Sequence, residues 1–413
     1  MIPVAKPYLN DDEVKAVSEV ISSGWVTQGP KVAEFEEAFA AYTGSPHACA
    51  VANCTVALQL AMLVMDVRPG DVVITVSHSF IATANAVRMC SAEPVFVDID
   101  PDTFNMSPAK LEHMLAEECE QRSGGLYYKN VFALSSPETP FNHIEQQLGR
   151  VGAILVVHQM GLPCDMSAIL PLAQKYGLPV IEDAACAVGS EISLDGGKSF
   201  EPVGKPHGDI ACFSFHPRKV MTTGEGGMIT CRSADVDARL RRLRHQGMDV
   251  SDLQRHESKK VCFESYSTTA YNFRMTDMQA AMGVEQLKKL PRMVVRRREI
   301  VEEYRRRLAD LEHITCAAEP VYARSNWQSF TIRVNESSPR SRDEIMQLLM
   351  DSDIATRRGI MNSHQEEPYR NEIWSLPASE AARDNCIILP LYYKLTDQGL
   401  DLIVERLKAA FDG

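Results

Sequence analysis

The sequence predicts an α/β fold: a mainly parallel central sheet flanked by helices, with a smaller C-terminal α+β domain. Three observations carry that expectation. Short β-branched runs alternate with helical patterns through the first two thirds of the chain, the order that builds parallel sheets. Past about residue 285 the pattern changes to a long charged helix followed by mixed strand and helix. At 413 residues the chain is long enough for two domains. The expected division is a large domain over 1–285 and a small one over 286–413.

Taken in order, Ala48–Ala52 reads as the first strand, and Val56–Met65 as the helix after it. Asp71–Thr75, Pro94–Asp98 and Ala153–Val157 read as further strands, and Val180–Glu182, Ile210–Ser214 and Gly227–Cys231 complete the set. Residues 118–147, with Gly124-Gly125, Tyr127-Tyr128 and Ser135-Ser136-Pro137, read as a long excursion off the sheet. In the second part, a helix over Arg296–Leu308 precedes a strand, Ser329–Val334, and a helix from Arg342 to Met350.

Hydrophobic residues make up 45% and charged residues 24%, both ordinary for a soluble globular protein. The net charge of -12 argues against nucleic acid or an anionic membrane as the main partner. Two basic runs, Arg239–Arg244 and Arg305–Arg307, read as solvated helix faces. Eleven cysteines are scattered singly, with no CxxC pair and no His/Cys ligand spacing. That usage points to reduced thiols in a cytoplasmic protein and to no metal site. The start, Met1–Pro7, has no apolar signal core, and no stretch approaches the ~20 apolar residues of a membrane helix.

The chemistry concentrates in two segments. Val180-Ile181-Glu182-Asp183 ends a strand in acid. Ser214-Phe215-His216-Pro217-Arg218-Lys219 leads to Thr222-Thr223-Gly224-Glu225-Gly226-Gly227. A lysine between a hydroxyl-bearing strand end and a glycine turn, with an aspartate at another strand end, is the minimum kit for pyridoxal phosphate. The lysine forms a Schiff base, and the aspartate keeps the pyridine nitrogen protonated. In parallel sheets, ligands sit beyond the carboxyl ends of the strands. Alone, Lys219 would read as a surface residue and Asp183 as a helix N-cap. Asn53-Cys54-Thr55 opens a helix whose first N–H groups suit a phosphate, though an ordinary cap has the same composition. Phe80 suits either ring stacking or a core position. Gly224-x-Gly226-Gly227 is not a dinucleotide fingerprint, because Ile229 stands where the third glycine belongs, and no P-loop is present.

Together these residues resemble the DegT/DnrJ/EryC1/StrS family of sugar aminotransferases, pyridoxal-phosphate enzymes of fold type I. The resemblance runs from Ser23-Gly24-Trp25-Val26-Thr27-Gln28-Gly29-Pro30 through Pro94–Asp100, His158–Asp165 and the lysine segment. It continues in Tyr271-Asn272-Phe273-Arg274-Met275-Thr276-Asp277 and ends at Leu389-Pro390-Leu391. It implies Lys219 as the Schiff-base lysine, Asp183 on the pyridine nitrogen and Ser214 on the phosphate. It also implies Cys54 and Thr55 as the phosphate turn and Phe80 on the ring. Asn272 would reach the neighbouring subunit's cofactor, so a homodimer with shared sites is expected. Trp25 and His364 are implied near the substrate. Two positions depart from the family: Cys54 replaces a glycine, and Cys186 replaces a glutamine or histidine beside the phenolic oxygen. A thiol is a weak donor.

The implied reaction moves an amino group from L-glutamate or L-glutamine to a keto-sugar, expected to be nucleotide-linked, with pyridoxamine 5'-phosphate as the intermediate cofactor form. Lys6, Arg357 and Arg358 are the cations available to the nucleotide's phosphates. A sugar dehydratase of the same family is the nearest alternative, and it would carry histidine in place of Lys219. A non-catalytic regulatory or scaffold protein on this fold is the alternative from another class.

Overall fold

The computed structural model describes residues 1–134, 136, 138–144, 148–249 and 263–411. Seven strands form the central sheet: β1 (His47–Val51), β2 (Val72–Val76), β3 (Glu93–Val97), β4 (Val151–Val157), β5 (Val180–Asp183), β6 (Ile210–Ser214) and β7 (Gly227–Cys231). Their order is β1-β7-β6-β5-β4-β2-β3, and only β7 runs antiparallel to its neighbours. Strands β2 to β7 are buried at every position, because helices cover both faces. That is why they read as continuous apolar runs and not as alternating ones.

The connection from β6 to β7, residues 215–226, is a laced loop and not a crossover helix. Phe215 N–H donates to the Gly226 carbonyl at 2.9 Å, and its own carbonyl accepts from Thr222 Oγ1 at 2.7 Å and from Thr223 N–H at 3.0 Å. Val220 and Met221 are buried beneath the loop. Gly224 takes φ 83°, a backbone region that a Cβ makes costly. Lys219 therefore rides on a loop pinned at both ends to the sheet's carboxyl edge.

The helix expected from Arg296 runs from Asp277 to Leu308, straight through Pro291. Proline in a helix costs about 3 kcal/mol. Here the Thr276–Gln279 capping box and the burial of Leu287, Leu290, Met293 and Val294 outweigh it. Residues through Val294 pack with Phe35, Phe39, Phe213 and Phe215 of the large unit. From Ile300 onward the helix packs with Phe330, Ile345 and Ile403 of the small unit. The sequence division at 285/286 thus falls inside one helix. Ile2 also pairs with the small unit, its N–H donating to the Asp353 carbonyl at 2.7 Å. Strands Ile314–Cys316, Phe330–Val334, Cys386–Leu389 and Arg357–Arg358 form the small antiparallel sheet in that order.

The 118–147 excursion contains a hairpin, Cys119–Arg122 with Gly125–Tyr128, and a 3-10 turn, Val131–Leu134. Its Cys119, Leu126, Tyr128, Val131 and Leu134 join the core beside β2, β3 and β4. Ser135, Pro137 and 145–147 lie outside the described residues.

One basic run is not a solvated face. Arg244 is only 4% exposed and pairs with buried Glu36, which Arg241 also contacts at 2.6 Å. Glu36 accepts the Ala50 N–H at 2.8 Å, so this network ties the Pro30–Thr43 helix to β1. Burial favours a protonated Glu36, but the two guanidiniums hold its carboxyl below the ordinary value. Arg244→Ala would take from that buried carboxylate its buried guanidinium and leave it the half-exposed Arg241. Denaturant unfolding should show a loss of about 3–5 kcal/mol; a loss within 1 kcal/mol, typical of exposed pairs, would restore the solvated reading.

Candidate active site

The sheet register gathers the predicted residues at one edge. Val51, Gly227 and Ser214 lie side by side across β1, β7 and β6. Asp183, on β5, pairs with Cys212, two residues before Ser214. Strand spacings then place Ser214 and Asp183 about 8 Å apart.

Asp183 is 4% exposed and has no cationic side chain in ion-pair contact among the described residues. Its Oδ2 accepts from Thr83 Oγ1 at 2.9 Å and its Oδ1 from the Ala185 N–H at 3.2 Å. Burial raises its pKa above the ordinary carboxylate value, partly opposed by these two bonds. Thr83, three residues after Phe80, was not among the expected site residues. The Ser79–Thr83 spacing was the available signal: the two hydroxyls are 2.7 Å apart, which orients Thr83.

Lys219 Nζ lies 3.0 Å from Cys186 Sγ. Burial disfavours the ammonium, but the Cys186 side chain, which it hydrogen-bonds, and the Asp183 carboxylate outweigh that and hold the lysine above its ordinary pKa. Asn326, which sequence reasoning missed, fixes the Cys186 loop. Its Nδ2 donates to the carbonyls of Cys186 at 2.8 Å and Val188 at 2.7 Å.

Asn53 caps the Cys54–Val64 helix, its Oδ1 accepting from Val56 N–H at 3.1 Å. Cys54 and Thr55 are then first-turn residues, whose N–H groups have no intrahelical acceptor. Cys54 is not among the residues of positive φ, so the turn does not require the glycine that the resemblance leads one to expect there. Burial pushes its thiol well above the ordinary pKa, so the side chain stays neutral. Gly227 is needed: a Cβ there would sit 2.6 Å from the Asn53 backbone, so only glycine lets the turn nest against β7.

The remaining expected residues divide. Phe80 is 60% exposed, just before the Thr83 helix, with its ring free to cover a ligand. Asn272 is exposed and bridges to His245 through the backbone. Trp25 Nε1 donates to the Gln28 carbonyl at 3.1 Å in a loop held by Asp277. Asp277 accepts from the N–H groups of Gly29, Lys31 and Val32 at 2.7–3.0 Å and so caps the Pro30–Thr43 helix. His364 is buried and ties the small unit to the end of β2. Ser77 Oγ lies 2.6 Å from its Nδ1 and accepts its backbone N–H at 2.9 Å.

These residues fit pyridoxal phosphate on two structural grounds. The buried Asp183 carboxylate lacks the cation that a protonated pyridine nitrogen provides. The first-turn N–H groups of Cys54 and Thr55 and the Ser214 hydroxyl lie at the same sheet edge, with Ser214 about 8 Å from Asp183, and a Cβ at Gly227 would displace the turn.

Comparison with known proteins agrees. Residues 7–408 match the model of the DegT/DnrJ/EryC1/StrS aminotransferase family. A protein of Caulobacter vibrioides named GDP-perosamine synthase is 36% identical over 98% of this chain and 97% of its own. The structure of the aminotransferase TlmJ from Streptoalloteichus hindustanus superposes with a TM-score of 0.82 at 31% identity, covering 100% of this chain and 99% of its own. A PMP-form structure from Streptococcus pneumoniae, whose name gives it as a sugar aminotransferase, superposes with a TM-score of 0.83 at 26% identity, covering 100% and 99%.

Proposed function

The chain belongs to the DegT/DnrJ/EryC1/StrS aminotransferase family, and on that premise we propose how its own residues divide the work of the reaction. It is a pyridoxal-phosphate-dependent sugar aminotransferase of fold type I that makes amino sugars by transamination. The proposed donor is L-glutamate, with L-glutamine as the alternative, and the proposed acceptor is a nucleotide-linked keto-sugar. The name of the Caulobacter relative supports the nucleotide link.

The observation that carries the residue roles is the placement of Lys219, Asp183 and the 53–55 turn at one sheet edge. The N–H groups of Cys54 and Thr55, with Ser214 Oγ, hold the phosphate. Asp183, oriented by Thr83 and Ala185, holds a proton on the ring nitrogen. Phe80 covers one ring face. The bound cofactor supplies an electron-withdrawing ring that stabilises charge developing at the donor's α-carbon. Lys219 Nζ takes the proton from that carbon and later returns one to the acceptor's carbon. Cys186, 3.0 Å from Lys219 Nζ, sits beside the reacting end. An exposed Asn272 and an uncovered Phe80 support a homodimer with shared sites. No helix among the described residues is long and apolar enough to cross a membrane.

Transfer of 15N from L-glutamate tests the acceptor. Mass spectrometry should find the label in a nucleotide-linked amino sugar, with 2-oxoglutarate formed in equal amount. Label appearing only in a sugar free of nucleotide would contradict the nucleotide-linked assignment.

A further inference from the structure

Two strained residues lie where the small unit meets the active-site loops. Trp327 and Met160 take φ 50° and 53°, a left-handed region that bulky side chains rarely adopt. Both are buried. Trp327 stands in the turn 325–328, between strands Ala323–Arg324 and Phe330–Val334, and its ring belongs to the core of the small unit. Met160 lies just past β4, and its carbonyl accepts the Ser329 N–H at 3.3 Å. Strain of this kind persists only where the surroundings fix it. Here the turn is fixed several times over. Trp327 N–H donates to Ser325 Oγ at 2.9 Å, and Gln328 N–H donates to Asn326 Oδ1 at 2.8 Å. Arg297 donates to the carbonyls of Trp327 at 2.8 Å and Gln328 at 2.6 Å.

The side chains of this turn grip the main chain of two loops in the large unit. Asn326 Nδ2 donates to the Cys186 and Val188 carbonyls at 2.8 and 2.7 Å. Gly161 makes room for it, since a Cβ there would overlap Asn326 Oδ1. Gln328 Nε2 donates to the Arg218 carbonyl at 3.0 Å. The peptide unit between Arg218 and Lys219 is then held at both ends, because the Lys219 N–H donates to the His216 carbonyl at 2.8 Å. One turn thus fixes the backbone beneath both Cys186 and Lys219, whose side chains lie 3.0 Å apart. Packing the two units together requires neither the strain nor amides aimed at these carbonyls.

We propose that this turn is a bracket through which the small unit positions the amine of Lys219, with Asn326 and Gln328 as positioning residues. The proposal rests on Lys219 being the reacting lysine. A lysine amine hangs on a flexible four-carbon stem, so its place is set by its backbone and by what it rests against. Proton transfer at the donor's α-carbon requires hydrogen-bond reach. A misplacement of about 1 Å costs on the order of 10²-fold in rate. Both residues act through main chain, Asn326 beneath Cys186 and Gln328 beneath Lys219.

The test uses cofactor-loaded protein and the single-turnover rate of 2-oxoglutarate formation from L-glutamate. Gln328→Ala removes one side-chain bond and should lower that rate about fivefold. Asn326→Ala removes two and should lower it by roughly 10²-fold. The L-glutamate concentration for half-maximal rate should stay within about twofold in both. Cofactor-free Gln328→Ala should also take up pyridoxal phosphate more slowly, read as growth of the visible band. The same substitutions are then made in Lys219→Ala, with methylamine supplied as the base. A dissolved amine is positioned by no loop, so neither substitution should change the methylamine-dependent rate. An equal loss there would make the turn a merely structural element and overturn the proposal. Wild-type rates of turnover and uptake in Gln328→Ala would overturn it too. That variant keeps the turn's own main-chain bonds, so it carries the test even where Asn326→Ala fails to fold. Failure of the Lys219 reading looks different: Lys219→Ala would then form 2-oxoglutarate at the wild-type rate with no amine added.

Discussion

Lys219→Ala is expected to lower amino-group transfer by at least ~10³-fold, within the range that a positioned proton-transfer group contributes. The variant should also lose the visible absorbance of lysine-bound pyridoxal. The fold should survive, because the lysine's hydrogen bond to the protein beyond its side chain is main-chain: its N–H donates to the His216 carbonyl at 2.8 Å. The loop stays anchored through Phe215, Thr222 and Thr223, and the side chain contacts Cys186 alone through a hydrogen bond. Thermal stability should therefore change by no more than about 1 kcal/mol. Retained turnover in a folded Lys219→Ala protein would contradict the role of Lys219, whereas a non-catalytic scaffold role predicts that the protein's function survives the substitution. The same lysine separates the protein from the family's dehydratase branch.

Asp183→Asn should give the second large effect. The amide oxygen can still accept from the Ala185 N–H, and the amide NH2 can donate to the Thr83 hydroxyl, so the side chain keeps two partners while the charge is lost. Without the carboxylate, the ring nitrogen loses its partner for the proton. Turnover should fall roughly 10²–10³-fold, the scale for removal of one preorganised electrostatic group. Cofactor-free protein should respond in the opposite direction. Burial raises the folded-state pKa of Asp183 above its unfolded value, so the folded state holds the proton more tightly. Stability from this group is therefore lost as pH rises through that interval. At neutral pH the cofactor-free Asn variant should be more stable by about 1–3 kcal/mol, the cost of a poorly compensated buried group. Below the ordinary carboxylate range the gain should vanish. Denaturant unfolding at several pH values reads both, and a destabilised cofactor-free variant at neutral pH would contradict the assigned cause.

The legible part of the site was local in sequence. Asp183, Ser214, Lys219 and the 53–55 turn each sit where a strand ends, and strand ends are visible as apolar runs meeting acid, hydroxyl or glycine. The central sheet was read to within a residue or two at most ends for the same reason. What sequence did not show was long-range. Thr83 orients Asp183 from 100 residues away, and Asp277 caps a helix 246 residues before it. Arg244 reads as one more surface arginine until Glu36, 208 residues distant, meets it. The helix expected from Arg296 begins at Asp277, because burial of Leu290, Met293 and Val294 overrides Pro291, a local stop signal.

The most direct test of the account is the absorbance spectrum of the purified protein with pyridoxal phosphate, recorded before and after L-glutamate. The account predicts a visible band that depends on Lys219 and gives way to the near-ultraviolet band of the pyridoxamine form. A visible band that neither L-glutamate nor L-glutamine converts would contradict the proposed donors, and no visible band at all would contradict the role of Lys219.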